Sequence, residues 1–237
     1  MKVAIAGAAG RMGRTLIEGV LKSRGLELAV GLALPAMLGL IVLSEPVVRM
    51  LFEHGAFTAA DTSATSRALM WLALGLPANV LVKALSPAFF AREDTMTPLL
   101  ATLKGVVFAI VLSVLLGHWF GAQGIAASLA IGAWSTALSL VRRGADTFGF
   151  SIDAAARRRL PGILAAALAM GAALWLATRF TPLLAPSAHG LLRATVLLIL
   201  ITAGIAIYGL FLRLFGITDW REAVSAIRQN QPRDLRD

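Results

Sequence analysis

Ala122 to Val141 runs twenty residues without a charged side chain, and two further uncharged stretches, 160–178 and 194–212, follow it. A helix rises 1.5 Å per residue, so about 20 apolar residues cross a hydrocarbon layer about 30 Å thick. Lipid offers no water to backbone N–H and C=O groups, and a helix satisfies them within one segment. Three more windows, 28–52, 68–91 and 99–119, have the same apolar character with isolated charges: Glu45 and Arg49, then Lys83, then Lys104. The expectation is an all-α membrane protein with six transmembrane helices.

Composition agrees. The 237 residues are 58% hydrophobic and 15% charged, with mean hydropathy +0.78. Soluble chains carry about 25% charged residues, so as a soluble protein this one would lack the polar surface to cover its core. The net charge of +9 lies between apolar stretches and not on one face, so it reads as a topology signal and implies no nucleic acid partner. With no cysteine, disulfides and thiolate metal sites are excluded, and no metal is expected. Val3–Ala9 meets Arg11 and Arg14 too early to serve as a signal-peptide core, and no cleavage is expected.

Basic residues favour cytoplasmic loops. The N-terminal segment holds Lys2, Arg11, Arg14, Lys22 and Arg24, whereas loop 53–67 holds only Arg67. Segment 92–98 has Arg92, and loop 120–121 has none. Loop 142–159 holds Arg142, Arg143, Arg157, Arg158 and Arg159; loop 179–193 has Arg179 and Arg193, both at helix edges. Arg213, Arg221, Arg228, Arg233 and Arg236 lie in the tail. The rich segments fall on alternate sides of six crossings, which puts both termini in the cytoplasm. The tail, 216–237, reads as a short amphipathic helix capped by Asp219, with Trp220, Val224 and Ile227 on one face.

The first 29 residues differ from the rest. Val3–Ala6 reads as a strand, Gly7, Gly10, Arg11, Met12 and Gly13 form a glycine-rich turn, Arg14–Lys22 reads as a helix, and a second strand is expected from Leu26 to Ala29. Strand, glycine turn and helix form the phosphate-cradling start of a dinucleotide-binding fold. Met1–Gly13 resembles the N-terminus of bacterial dihydrodipicolinate reductase, and the likeness extends over about 28 residues. The acid that should end the second strand is absent, because Glu27 lies at its start and the next acid is Glu45. This segment is expected to be a truncated βα extension left by a fusion. It would bind NAD(P) only if it were functional, and no cofactor is expected.

From about Val30 onward the chain resembles the C-terminal part of the MurJ (MviN) family of lipid II flippases. The likeness rests on Leu51–Thr58 (LFEHGAFT), Ala73–Pro77 (ALGLP) and Val82–Thr95 (VKALSPAFFAREDT), closing at Thr97-Pro98. The resemblance implies six helices from the C-terminal lobe of a multidrug/oligosaccharidyl-lipid exporter-like fold. It also implies residence in the cytoplasmic membrane and transport of the lipid-linked peptidoglycan precursor. The family's cavity arginines and acids lie in helices this chain does not contain, so none is carried over. A separately encoded N-terminal lobe, or self-association, would complete the transporter.

In the second window Gly75, Asn79, Lys83 and Ser86 recur at helical spacing and form a polar stripe. An intramembrane lysine is a candidate functional residue because its burial in lipid costs at least about 2.5 kcal/mol. Lys83 is expected to meet an anionic substrate group in a cavity; the alternative is snorkelling, since Ala91 is about 12 Å away along the helix. Pro77 and Pro87 predict a kink. Glu45 and Arg49, one turn apart, are expected to form a structural ion pair. Gly124, Ser128, Gly132 and Thr136 make a small-residue stripe suited to close helix packing. No nucleophile–base pair is found, so an enzyme is not expected. The rival readings are a reductase-related fusion product without reductase activity and an inert membrane scaffold.

Overall fold

The computed structural model describes residues 24–148, 154–180 and 190–214. These residues are helical apart from short turns: α1 (Arg24–Phe52), α2 (Ala59–Leu74), α3 (Leu76–Phe90), α4 (Met96–Phe120), α5 (Ala122–Phe148), α6 (Ala154–Phe180) and α7 (Gly190–Leu214). Six stretches are long and apolar enough to cross a membrane: Val30–Phe52, Ala59–Phe90, Met96–Phe120, Ala122–Asp146, Leu160–Phe180 and Ala194–Leu214. Each overlaps one of the six windows read from the sequence. The glycine turn at Gly7–Gly13 and the amphipathic tail lie outside the described residues.

Two local expectations are corrected. Leu26–Ala29 lies in the first turns of α1 and is not a strand; its apolar residues continue directly into the span, so helix propagation prevails over a short strand. The loop expected at 53–67 ends at Thr58. Thr58 accepts from the Asp61 backbone N–H at 3.3 Å, and its own N–H reaches the Asp61 carboxylate at 2.9 Å. This capping box starts α2 nine residues before the expected window. The second span therefore runs 32 residues, about 48 Å of helix, longer than a hydrocarbon layer of about 30 Å requires.

The expected kink in this span is a full interruption. Gly75 ends α2 and begins α3, with Pro77 in the first turn of α3. Proline has no N–H for the carbonyl four residues back, and the Gly75 N–H turns back to Leu72 and Ala73. From α5, the Trp134 indole donates to the Leu74 carbonyl at 2.9 Å. A side chain 60 positions away thus satisfies a backbone group at the break.

Packing divides into two clusters. Leu43 of α1, Ala166, Ala167, Met170 and Leu174 of α6, and Val196, Leu197, Leu200 and Tyr208 of α7 form one. Leu85 and Phe89 of α3, Ala101 of α4 and Leu140 of α5 form the other. Contacts of α1 with α2 and α3, and of α2 and α3 with α5, join them. Helices α4 and α5 form a hairpin through the single residue Gly121, whose φ of +58° suits glycine. A Cβ on Gly132 of α5 would stand 2.6 Å from the Ala109 Cβ and 2.8 Å from the Gly105 carbonyl oxygen of α4. The small-residue stripe therefore brings the two backbones together, with Gly124 against Leu116 and Thr136 against Gly105.

Candidate functional site: a lysine-bearing groove and an ion-pair row

The break at Gly75 lets α2 and α3 meet α1 along a groove of about 320 Å³. Leu40 of α1, Leu69 and Leu72 of α2, and Leu76 and Val80 of α3 supply its apolar wall; Asn79 and Lys83 supply its polar groups. The Asn79 amide nitrogen donates to the Gly75 carbonyl at 3.0 Å. Its oxygen and its second amide N–H are then left for a ligand. Lys83 is exposed, and among the described residues no carboxylate pairs with it. The groove thus offers one cation and one amide on an apolar bed, suited to an amphiphile with an anionic group.

The other two stripe residues lie elsewhere. Gly75 is buried against α5, where a Cβ would stand 3.0 Å from Ala130 Cα. The Ser86 hydroxyl donates to the Val82 carbonyl of its own helix at 2.7 Å. Asn79 and Lys83 share the groove, while Gly75 permits the helix contact that shapes it.

Glu45 and Arg49 pair at 2.7 Å. Arg49 also reaches Glu53, Nε to Oε2, at 3.3 Å, and the Thr62 hydroxyl donates to the same Glu53 oxygen at 2.8 Å. The pair is therefore part of a row that ties the end of α1 to the start of α2. Glu53 repeats the four-residue spacing of Glu45 and Arg49, so its role was visible in the sequence. Assigning it to a loop concealed it. Thr62, nine residues on, carried no comparable signal.

At the opposite end of α3, a tight turn leads into α4. Glu93 adopts φ +63°, and Asp94 accepts from the Thr97 backbone N–H at 2.9 Å. Hydrogen bonding to Thr97 holds the Asp94 carboxyl below its usual pKa. Among the described residues no group of three or more His, Asp or Glu is placed to hold a metal.

The model of the family described as lipid II flippase MurJ matches residues 19–208. This chain belongs to the lipid II flippase MurJ family. A probable lipid II flippase MurJ of Rhizobium tropici is 36% identical over 217 residues, covering 90% of this chain and 39% of that protein. Its counterpart in Rhizobium meliloti is 40% identical over 202 residues, 83% of this chain and 37% of that protein. A solved lipid II flippase MurJ in an inward closed conformation is 27% identical, with a TM-score of 0.68 over 92% of this chain and 44% of that one. The chain thus spans about two fifths of the length of these MurJ relatives. The match also reaches into the segment before residue 30. It begins at residue 19 and takes in the segment 26–29 once read as a reductase strand.

Proposed function

We propose that this chain is the C-terminal lobe of a lipid II flippase and takes part in moving the lipid-linked peptidoglycan precursor across the cytoplasmic membrane. One observation carries this reading: 92% of the chain superposes on part of a solved lipid II flippase. Translocation moves a headgroup and breaks no covalent bond, so the chain acts as a transporter and not as an enzyme, with no cofactor. Residues 30–215 form the six-helix transmembrane domain, residues 1–29 and 216–237 lie in the cytoplasm, and loop charge supports that orientation.

Alternating access needs two lobes that rock about a shared site. This lobe is therefore proposed to work with a second, supplied by a longer protein, a separately encoded chain or a second copy. In that assembly Lys83 presents its charge to the anionic part of the precursor while the leucines around it accept an apolar segment. Gly75 and the break beside it let α3 move relative to α2. The reductase-like reading has no comparable support, since none of the relatives described above is a reductase.

The test replaces the last six helices of a relative with this chain in cells depleted of their own flippase. Restored growth and restored precursor translocation are the expected results. A chimera that reaches the membrane and restores neither sinks the proposal and favours a scaffold. Lys83→Glu in an active chimera should abolish translocation, whereas Lys83→Arg should preserve it.

A further inference from the structure

A second groove, larger and distinct from the one at Lys83, opens where α1 ends, α2 begins and α6 ends. Its volume is about 890 Å³. Arginines 49, 67 and 179 reach it together with Glu45, and they differ in how they are neutralised. Arg49 is held between Glu45 and Glu53. Arg67 donates only its Nε, to the Ser63 carbonyl at 3.1 Å. The Arg179 guanidinium lies over the Trp175 ring, 5.2 Å from its centroid. Both Arg67 and Arg179 are exposed, and neither meets a carboxylate among the described residues.

The other acids at this end are engaged. Asp61 is bound to Thr58, and Glu53 takes both Arg49 and Thr62. Between Phe180 and Ala194 the sequence contains no Asp or Glu. The hydroxyls of Ser44, Ser63, Ser66 and Thr178 in the groove donate to carbonyls of their own helices, which leaves the arginines as its charged donors to a ligand.

We infer that this groove binds the phosphate of an anionic membrane phospholipid through Arg67 and Arg179. A guanidinium presents paired N–H groups that match phosphate oxygens. Arg179 is next to the end of its span at Phe180, and Trp175 lies one turn deeper, the level at which tryptophan marks the membrane interface. Ile41, Val42 and Met70 line the rest of the groove with apolar surface. A lipid supplies both a phosphate for the rim and a chain for that surface; a free phosphate supplies only the first.

The purified full chain in phosphatidylcholine nanodiscs, titrated with phosphatidylglycerol and read by native mass spectrometry, tests this without any transport assay. A null result here therefore leaves the proposed function standing. Each basic residue near an anionic surface contributes about fivefold to binding, so Arg67→Gln or Arg179→Gln should weaken phosphatidylglycerol about fivefold, and both together about thirtyfold. The lysine variants R67K and R179K, which keep the charge but not the paired N–H groups, should retain only part of the binding, and Arg142→Gln, at the other end of the helices, should change nothing. The double glutamine variant binding phosphatidylglycerol as well as the unaltered chain would overturn the inference. Displacement of the lipid by millimolar inorganic phosphate would overturn the lipid-borne part of it.

Discussion

The α4–α5 hairpin and the α1–α6–α7 cluster solve the same problem by opposite means. In the hairpin, Gly105, Gly124 and Gly132 remove side chains so that backbones approach. Dispersion between close helices then does what water exclusion does in a soluble core. In the cluster, Leu43, Met170, Leu174, Val196, Leu197 and Leu200 interlock as large side chains. Helix pairs in lipid therefore need no single packing chemistry. Contact tolerates bulk where shapes interdigitate and forbids it where backbones touch.

The cluster should be broken by removing volume. Leu174 is 3% exposed and its methyls pack on Gly204 of α7. Leu174→Ala should cost about 2–5 kcal/mol, seen as a lower melting temperature in detergent and as earlier exposure of α7 to hydrogen exchange. The hairpin should be broken by adding volume. Gly132→Ala places a methyl against the Gly105 carbonyl, which cannot rotate away, and should cost about 1–3 kcal/mol. Gly209 of α7 has nothing within 4 Å of a built Cβ, so Gly209→Ala should stabilise by up to about 1 kcal/mol. Equal effects at Gly132 and Gly209 would remove the distinction between the two regions.

The same contrast explains what the sequence disclosed. Gly124 and Gly132 recur on one strip of α5, so periodicity along a single helix exposed their role, whereas Gly105 of α4 carried no such signal. The six apolar runs were legible too, because hydrocarbon thickness fixes a length that one segment must meet alone. The Lys83 groove was half legible: Asn79 and Lys83 share a helix face, but Leu40 comes from α1, and no local pattern reports which helix arrives beside α3. The groove at Arg67 and Arg179 was less legible still, since both read as mere boundary residues until α2 and α6 were placed together. The start of α2 was missed for another reason: polar turns look like a loop when only hydropathy is weighed, although Thr58 and Asp61 carry a capping signal.

The bond between α7 and α1 is the clearest case of information absent from local sequence. Pro35 lacks the N–H that would bond the Gly31 carbonyl four residues earlier. The Tyr208 hydroxyl, 177 positions away, donates to that carbonyl. A backbone defect on one helix is repaired by a side chain on another, as Trp134 does at the Leu74 carbonyl. Tyr208→Phe keeps the ring in the cluster and removes only the donor. It should cost about 1 kcal/mol, smaller than Leu174→Ala, with the loss confined to α1–α7 protection in hydrogen exchange. A loss as large as that of the leucine variant would mean that the cluster is held by its polar bond and not by its bulk.

The smallest expected effect lies outside both regions, at the turn that joins α3 to α4. Asp94 accepts from Thr97 as a carboxylate, and its pKa in the folded chain is below the ordinary value of 3.8. A group whose folded pKa is depressed stabilises the fold above its unfolded pKa and loses that contribution as pH falls through the folded value. Comparing the chain with its Asp94→Asn variant isolates this term from the other acids. The difference in melting temperature should be constant from neutral pH to about 5 and shrink below 3.8. Because the group sits on a surface turn, the shift should amount to a few degrees at most, and the packing of both helical regions should be untouched. A difference that grows on acidification would show that Asp94 acts through repulsion and not through its bond to Thr97.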